Sequence, residues 1–298
     1  MSYRAGFLGV IGLPNSGKST LVNRLVGEKV SIVSSKPQTT RRRSLGILTK
    51  PEGQIVFVDS PGVLAAKSGL NHFLMEEAHD VIAKSDAIMA VLNIDEKDLD
   101  HLKQIVDLAV QSGKPWFAVI HKTDLPQLHR PEILKKELKE RNIPVLSGSG
   151  LKGEQEFFDA IVSQVMTMMP ESNEPIYDRD LFTPATEREL CAEIIREKCF
   201  EALHQEIPFS TAVRILSFKE NEGAVLKIEG EILVSKPNHQ GIVVGREAQM
   251  IRQIGTEARK DIEKLVQRKV FLRLEVSTAK DWVKNPKVMK ELGYVIRH

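Results

Sequence analysis

Gly12-Leu-Pro-Asn-Ser-Gly17-Lys18-Ser19 follows the apolar run Phe7-Leu-Gly-Val-Ile11 and precedes a segment whose apolar face is Leu21, Val22, Leu25 and Val26. A buried strand that runs into a glycine-rich turn and then a helix is the setting in which this spacing makes a phosphate-binding loop. The glycines let the backbone curl so that its N–H groups point inward at an anion. The helix behind them adds its positive N-terminus. Lys18 is expected to reach the β- and γ-phosphates and the Ser19 hydroxyl to take Mg²⁺. Gly12, Pro14, Asn15, Ser16, Gly17 and Thr20 complete the cradle. A chance strand–turn–helix is the alternative, and it has no reason to carry the Lys-Ser pair at this spacing.

Working outward, the runs Ile55–Val58, Ala87–Leu92 and Trp116–Ile120 have the composition of strands buried on both faces. Helical patterns near 71–84, 96–112, 130–140 and 153–166 separate them. Alternation of this kind predicts an α/β domain, a mostly parallel sheet with helices on both faces, over residues 1–170. Ligands of such sheets bind beyond the carboxyl ends of the strands. A polar, Pro-rich stretch without periodicity, 171–186, reads as a linker. Residues 187–298 then follow a different order: a helix (187–204), strands near 211–218 and 224–234, helices 242–254 and 256–266, and a strand at 269–276. This is an α+β domain with a last amphipathic segment carrying Trp282, Val288, Met289 and Leu292.

With 298 residues the chain is long enough for two cores, and the formal net charge of +2 excludes an overall polycation. No run approaches the roughly eighteen apolar residues of a membrane span. The N-terminus enters a core strand directly and leaves no room for a signal peptide. Two cysteines without ligand spacing, Cys191 and Cys199, read as reduced core residues of a cytoplasmic protein.

Four further segments bear on which nucleotide is bound. Asp59-Ser-Pro-Gly62 ends a strand, placing the Asp59 carboxylate beside Mg²⁺ and the Gly62 N–H at the γ-phosphate. His121-Lys122-Thr-Asp124 also ends a strand. An Asp there accepts from guanine N1–H and N2–H₂, donors that adenine does not present in that pattern, so ATP would leave it unpaired. Ser147-Gly148 follows the next strand, with the Gly148 N–H expected to meet guanine O6. Gln38-Thr-Thr40-Arg41 lies in a loop that can close a Thr hydroxyl onto Mg²⁺, and Thr40 is chosen over Thr39.

With these residues in place the chain resembles the Era family of translation-factor-like GTPases. The resemblance rests on Gly12–Thr20, Gln38–Arg41 and Asp59–Gly62, and it continues through Ala192–Glu197, His204–Pro208 and Ile254–Asp261 over essentially the whole chain. It implies GTP/GDP as ligand, GTP hydrolysis at a slow intrinsic rate, and a C-terminal KH domain. It also implies binding near the 3′ end of small-subunit ribosomal RNA, a role in small-subunit assembly, and peripheral membrane association. A monomer is expected, and the last amphipathic segment reads as domain packing rather than as an anchor.

One position of the nucleotide site departs from the family pattern. His121 replaces the usual Asn, which bridges base and P-loop; an imidazole can donate to guanine N7 or to the loop. Val63 follows the Asp-x-x-Gly motif and cannot orient water. The resemblance to GTPases with a hydrophobic residue there implies K⁺ assistance through Asn15. Lys18, Asn15, Thr40 and Gly62 are accordingly the expected catalytic set, and Ser19, Thr40 and Asp59 the metal set. Arg41–Arg43 form a basic group that faces a partner or acts as a finger in cis.

The C-terminal order matches a type II KH fold, in which a GXXG turn between two helices clamps a single-stranded RNA backbone. Here the turn reads Gly245-Arg246-Glu247-Ala248. Ala248 fits it if its φ is negative, and Glu247 repels phosphate unless turned away. Arg246, Arg252, Arg259 and Lys260, with Gly245 and Ala248, are the expected RNA contacts. The rival reading is a degenerate KH domain that binds protein or membrane in a nucleotide-dependent way.

Overall fold

The computed structural model describes residues 2–34, 36, 39–62, 69–126, 130–220 and 225–294. Gln38 and Val63, named above, lie outside the described residues. The chain divides into two compact units, Met1–Ala66 with Leu74–Pro184, and Lys67–Phe73 with Ala185–His298.

In the first unit the strands are β1 (Arg4–Gly12), β2 (Ser44–Lys50), β3 (Gly53–Asp59), β4 (Ala87–Asn93), β5 (Trp116–His121) and β6 (Val145–Gly148). They form one sheet in the order β2-β3-β1-β4-β5-β6. Every residue of β3 and β4 is buried: the apolar runs Ile55–Val58 and Ala87–Leu92, and with them Gln54, Asp59 and Asn93. Helices α1 (Lys18–Val26), α2 (Gly69–Lys84), α3 (Leu99–Gln111), α4 (Arg130–Glu140) and α5 (Gln155–Met168) supply the two covering layers. Leu21, Val22 and Leu25 of α1 and Ile161 and Val165 of α5 pack against Leu8, Val10 and Phe57. Leu102, Ile105 and Leu138 of α3 and α4 pack with Ile11, Ile88 and Ala90 on the opposite face. Strand β1 pairs in parallel with both β3 and β4, setting Val10 beside Asp59 and Gly12 beside Val91. The P-loop therefore leaves the sheet where the strand order reverses, the place at which open α/β sheets bind ligands.

Strand β2 was not legible in the sequence. It is an antiparallel edge strand paired with β3, half-buried at most of its positions, and its composition carries no sustained alternation. The stretch read as a linker differs as well. Residues up to Pro184 belong to the first unit, where Ile47 N–H donates to the Phe182 carbonyl at 2.8 Å. The Gln54 side chain exchanges two hydrogen bonds with the Tyr177 backbone, at 2.9 and 3.0 Å. The Ile47 backbone on β2 and the Gln54 side chain on β3 hold this aperiodic segment, so it lacks a hydrophobic pattern and is still not a free tether.

The second unit runs α6 (Glu187–Ala202), β7 (Thr211–Glu220), β8 (Val225–Val234), α7 (Pro237–Val244), α8 (Gln249–Val266), β9 (Lys269–Thr278) and α9 (Pro286–Glu291). Thr186 and Glu189 close a capping box at the start of α6. The sheet order is β7-β8-β9, antiparallel then parallel. Cys191, Ile195 and Cys199 of α6 and Ile254, Ala258 and Ile262 of α8 bury the sheet's inner face at Ile228 and Ile232. Burial pushes both thiols up to about 12, so these cysteines are inert core residues. The expected helices 242–254 and 256–266 are replaced by α7 and one continuous α8. Pro237 starts the first of them, and Gly245, with φ 74°, ends it. Helical periodicity alone ran across that break.

Candidate functional site

The P-loop turn is shaped by two left-handed residues, Asn15 at φ 61° and Gly17 at φ 93°. Lys18 sits inside this curl, with Nζ donating to the carbonyls of Gly12 (3.1 Å) and Leu13 (2.8 Å). Burial pulls its pKa down to about 8 against the opposing pull of Asp59. Ser19 Oγ donates to Asp59 Oδ2 at 2.6 Å and lies 3.0 Å from Thr40 Oγ1. Thr39 turns elsewhere, its hydroxyl donating to the Lys36 carbonyl. Asp59 is fully buried, its other oxygen Oδ1 has no hydrogen-bond partner, and burial raises its pKa. Three oxygens of the kind Mg²⁺ prefers thus converge, one carboxylate oxygen lacking a proton donor, so the donor set fits the ion.

Gly62 closes the cleft from the β3 side. A Cβ there would lie 2.4 Å from the Pro14 backbone, so only glycine permits this approach. Pro14, Asn15, Lys18, Ser19, Thr40 and Gly62 line the same cleft, and Thr20 borders it.

The base side differs from the sequence expectation in two respects. First, the expected pair Ser147-Gly148 is still inside β6, paired with Ile120 and His121. A Cβ on Gly148 would meet the Phe157 ring at 2.6 Å, so this glycine serves packing against α5. The second Ser-Gly pair, Ser149-Gly150, lies two residues on, past the end of β6. Hydrogen bonding from Ser149 is the main cause that holds the Asp124 carboxyl below its ordinary range. The Ser149 hydroxyl oxygen also accepts from the Leu151 and Lys152 N–H groups at 3.1 and 3.0 Å. The repeated Ser-Gly dipeptide was the available signal, and only the end of the strand selects the second copy.

Second, His121 does not face outward for a base. Its Nδ1 lies 2.9 Å from the Ser16 carbonyl oxygen, and its Nε2 accepts from the Gly150 N–H at 2.8 Å. A carbonyl only accepts and an amide N–H only donates, so the ring is neutral and carries its proton on Nδ1. Burial lowers its pKa, consistent with that state. Lys122, at φ 63°, pairs with Asp95 at 2.7 Å.

The basic group after Thr40 is also engaged. Arg41 is buried at 2% exposure, and Arg43 pairs with Glu77 at 3.3 Å and Asp80 at 2.5 Å. Neither is the solvent-facing switch arginine that the sequence suggested.

In the second unit Gly245 caps α7, its N–H donating to the Gly241 carbonyl at 2.9 Å. A Cβ there would lie 2.8 Å from Met250 Cβ. Glu247 (φ 49°) and Ala248 (φ 60°) are both left-handed. Ala248 therefore keeps the conformation a second glycine would adopt, not the negative φ that would suit alanine, at a strain of about 1–2 kcal/mol. Arg252 and Arg259 of α8 border a shallow groove with Gly255, Phe271 and Leu272. Arg246 precedes the strained pair in the turn. Lys260 pairs with Glu257 at 2.7 Å on the helix surface.

Residues 7–122 match the family model described as 50S ribosome-binding GTPase, and residues 206–283 match the KH domain model. The chain is 40% identical over 299 residues to GTPase Era of Geobacter metallireducens, covering 98% of both proteins. It is 37% identical to GTPase Era of Halothermothrix orenii over 99% of both. This chain belongs to the Era family of GTPases. Among solved structures it superposes on an Aquifex aeolicus Era variant bound to GDP·AlF₄⁻ with a TM-score of 0.91, at 33% identity over 98% of this chain and 100% of that one. A second Era structure, in complex with MgGDPNP and nucleotides 1506–1542 of 16S ribosomal RNA, gives 0.92 at 33% identity, over 99% and 100% of the two chains.

As an Era-family GTPase this chain pairs an α/β P-loop domain with a KH domain. No described helix is long and apolar enough to cross a membrane. Trp282 of the last amphipathic segment is buried, with Nε1 donating to the Ser210 carbonyl at 2.7 Å.

Proposed function

We propose that this protein is a GTP-hydrolysing switch that binds small-subunit ribosomal RNA near its 3′ end and acts, as a monomer, in assembly of the small ribosomal subunit. One observation carries the reading. The Ser19–Thr40–Asp59 cluster and the Ser149-held Asp124 stand in one chain with the Gly245–Ala248 turn. The Era relative with the same two domains is bound to MgGDPNP and a 16S fragment.

In this reading Asp124 accepts from guanine N1–H and N2–H₂, held ready by Ser149. Lys18 leaves the Gly12 and Leu13 carbonyls for the β- and γ-phosphates, and the Gly62 N–H meets the γ-phosphate. Ser19, Thr40 and Asp59 hold Mg²⁺, which supplies charge neutralisation on the phosphates. Asn15, held left-handed at the lip of the loop, is the residue that supports K⁺ assistance in a slow intrinsic hydrolysis. Gly245 and Arg246 meet an RNA phosphate, and Arg252 and Arg259 flank the groove in which bases lie against α8 and β9. Lys260 adds a more distant cation. Ordering of the segments around Thr40 and Gly62 by GTP would set RNA affinity. Membrane contact is no part of the proposal, because Trp282 is spent on internal packing.

Labelled GDP displaced by GTP and not by ATP, with GTP turnover faster in K⁺ than in Na⁺, supports the nucleotide half of this reading. Equal displacement by ATP contradicts the guanine site, and equal rates in the two salts remove Asn15 from its role.

A further inference from the structure

His121 connects the P-loop to the turn after β6, and its ring is seated between two glycines. A Cβ on Gly17 would lie 2.3 Å from His121 Cε1, and a Cβ on Gly150 would lie 2.8 Å from Nε2. Gly17 is also fixed at φ 93°, so the P-loop and the turn after β6 are both built around the imidazole. Both nitrogens are consumed by backbone partners, Ser16 C=O and Gly150 N–H, and neither is left for a base.

We propose that His121 is a positioning residue: its neutral, Nδ1-protonated ring clamps the P-loop to the Ser149–Gly150 turn, and nucleotide grip depends on that clamp rather than on a contact with guanine. The inference rests on the GTPase reading and deepens it. Its chemistry follows from reach. Nδ1 stands where an Asn side-chain nitrogen would, so Asn at this position keeps the bond to Ser16. Nε2 stands one bond further out, where Asn ends short of Gly150. His therefore ties down an amide that Asn leaves free for the base.

Protonating Nε2 removes the acceptor and sets two N–H groups face to face. Charged groups around the ring are Lys122 beside it, Asp124 two residues beyond that, and Asp95 from the turn after β4. Burial outweighs the two carboxylates and holds the ring neutral until the pH falls below the ordinary imidazole value of about 6.5. Above that value the clamp is intact; as pH falls through the lowered pKa it opens, and affinity is lost by up to about tenfold per pH unit.

The test is GDP affinity of the full-length protein and of His121→Asn between pH 7.5 and pH 5.0. Acid effects on Asp59 are common to both proteins, so the difference between the two profiles reports the imidazole. The clamp requires the wild-type profile to fall more steeply, by about threefold or more at the acid end. It also requires long-range ¹⁵N–¹H spectra of wild type to show the Nδ1–H tautomer. Parallel profiles, or an Nε2–H tautomer, overturn the proposal while leaving the GTPase reading intact. A wild-type protein that takes up no GDP at pH 7.5 overturns both.

Discussion

Ser19 Oγ donates to Asp59 Oδ2 at 2.6 Å, and that single bond ties the start of α1 to the end of β3. The two residues lie 40 positions apart in the chain and meet because β1 and β3 are parallel neighbours in register. Thr40 Oγ1, from the loop before β2, lies 3.0 Å from the same hydroxyl, so the sheet sets the Ser19–Asp59 pair and the loop brings a third oxygen to it.

Removing a ligand from this cluster should cost turnover more than fold. Ser19→Ala and Asp59→Asn are each expected to lower GTP hydrolysis about 100-fold, the scale of losing one preorganised charge-stabilising group. Raising Mg²⁺ should recover part of the loss in Ser19→Ala. Phosphate release assays across a Mg²⁺ series check this. A rate that is unchanged at every concentration removes the cluster from the mechanism.

Lys18 gives a pH dependence with a definite sign. Its pKa of about 8 in the free protein lies below the ordinary lysine value, and bound phosphates favour the cation. Lys18 therefore leaves GDP affinity flat between about pH 7 and pH 8 and lowers it above that. Calorimetry at pH 8.5 in buffers of different ionisation enthalpy should show proton uptake on binding, and none at pH 7.

Gly62 approaches the Pro14 backbone too closely for any side chain. Gly62→Ala should retain GDP, whose phosphates reach only the P-loop, and lose at least tenfold in affinity for a non-hydrolysable GTP analogue, an estimate of about 1.4 kcal/mol or more. Equal losses for both nucleotides would contradict a γ-phosphate role.

Ala248 is strained in the KH turn. Ala248→Gly should stabilise the protein by about 1 kcal/mol, read as a rise in the denaturant midpoint of the second unit, since glycine adopts this φ without the Cβ clash. RNA affinity should hold or rise. A fall in stability would show that the left-handed conformation is not the one populated.

The architecture was legible because its signals are long: Ile55–Val58, Ala87–Leu92 and Trp116–Ile120 are unbroken apolar runs within β3, β4 and β5, and the P-loop follows the first strand. The meeting of Ser19 with Asp59 and the seat of Lys18 in the P-loop were legible too, since these residues follow strand ends. The base side was not. Ser147-Gly148 and Ser149-Gly150 are identical as dipeptides, and only the hydrogen-bonded end of β6 separates the glycine packed on Phe157 from the one bonded to His121. His121 was recognised as a departure, yet which partners its nitrogens take is decided by Ser16, 105 residues away, and Gly150, 29 residues away. The left-handed φ of Ala248, 60°, was likewise not legible, because alanine ordinarily avoids that region.

Coupling between nucleotide and RNA is the central claim, and one titration tests it directly. A labelled RNA spanning the 3′ end of 16S ribosomal RNA is titrated with the protein in a GTP analogue, in GDP and without nucleotide. Tightest binding in the GTP analogue is the predicted result. A protein that takes up GDP and binds the RNA in no nucleotide state, or equally in all three, contradicts the account.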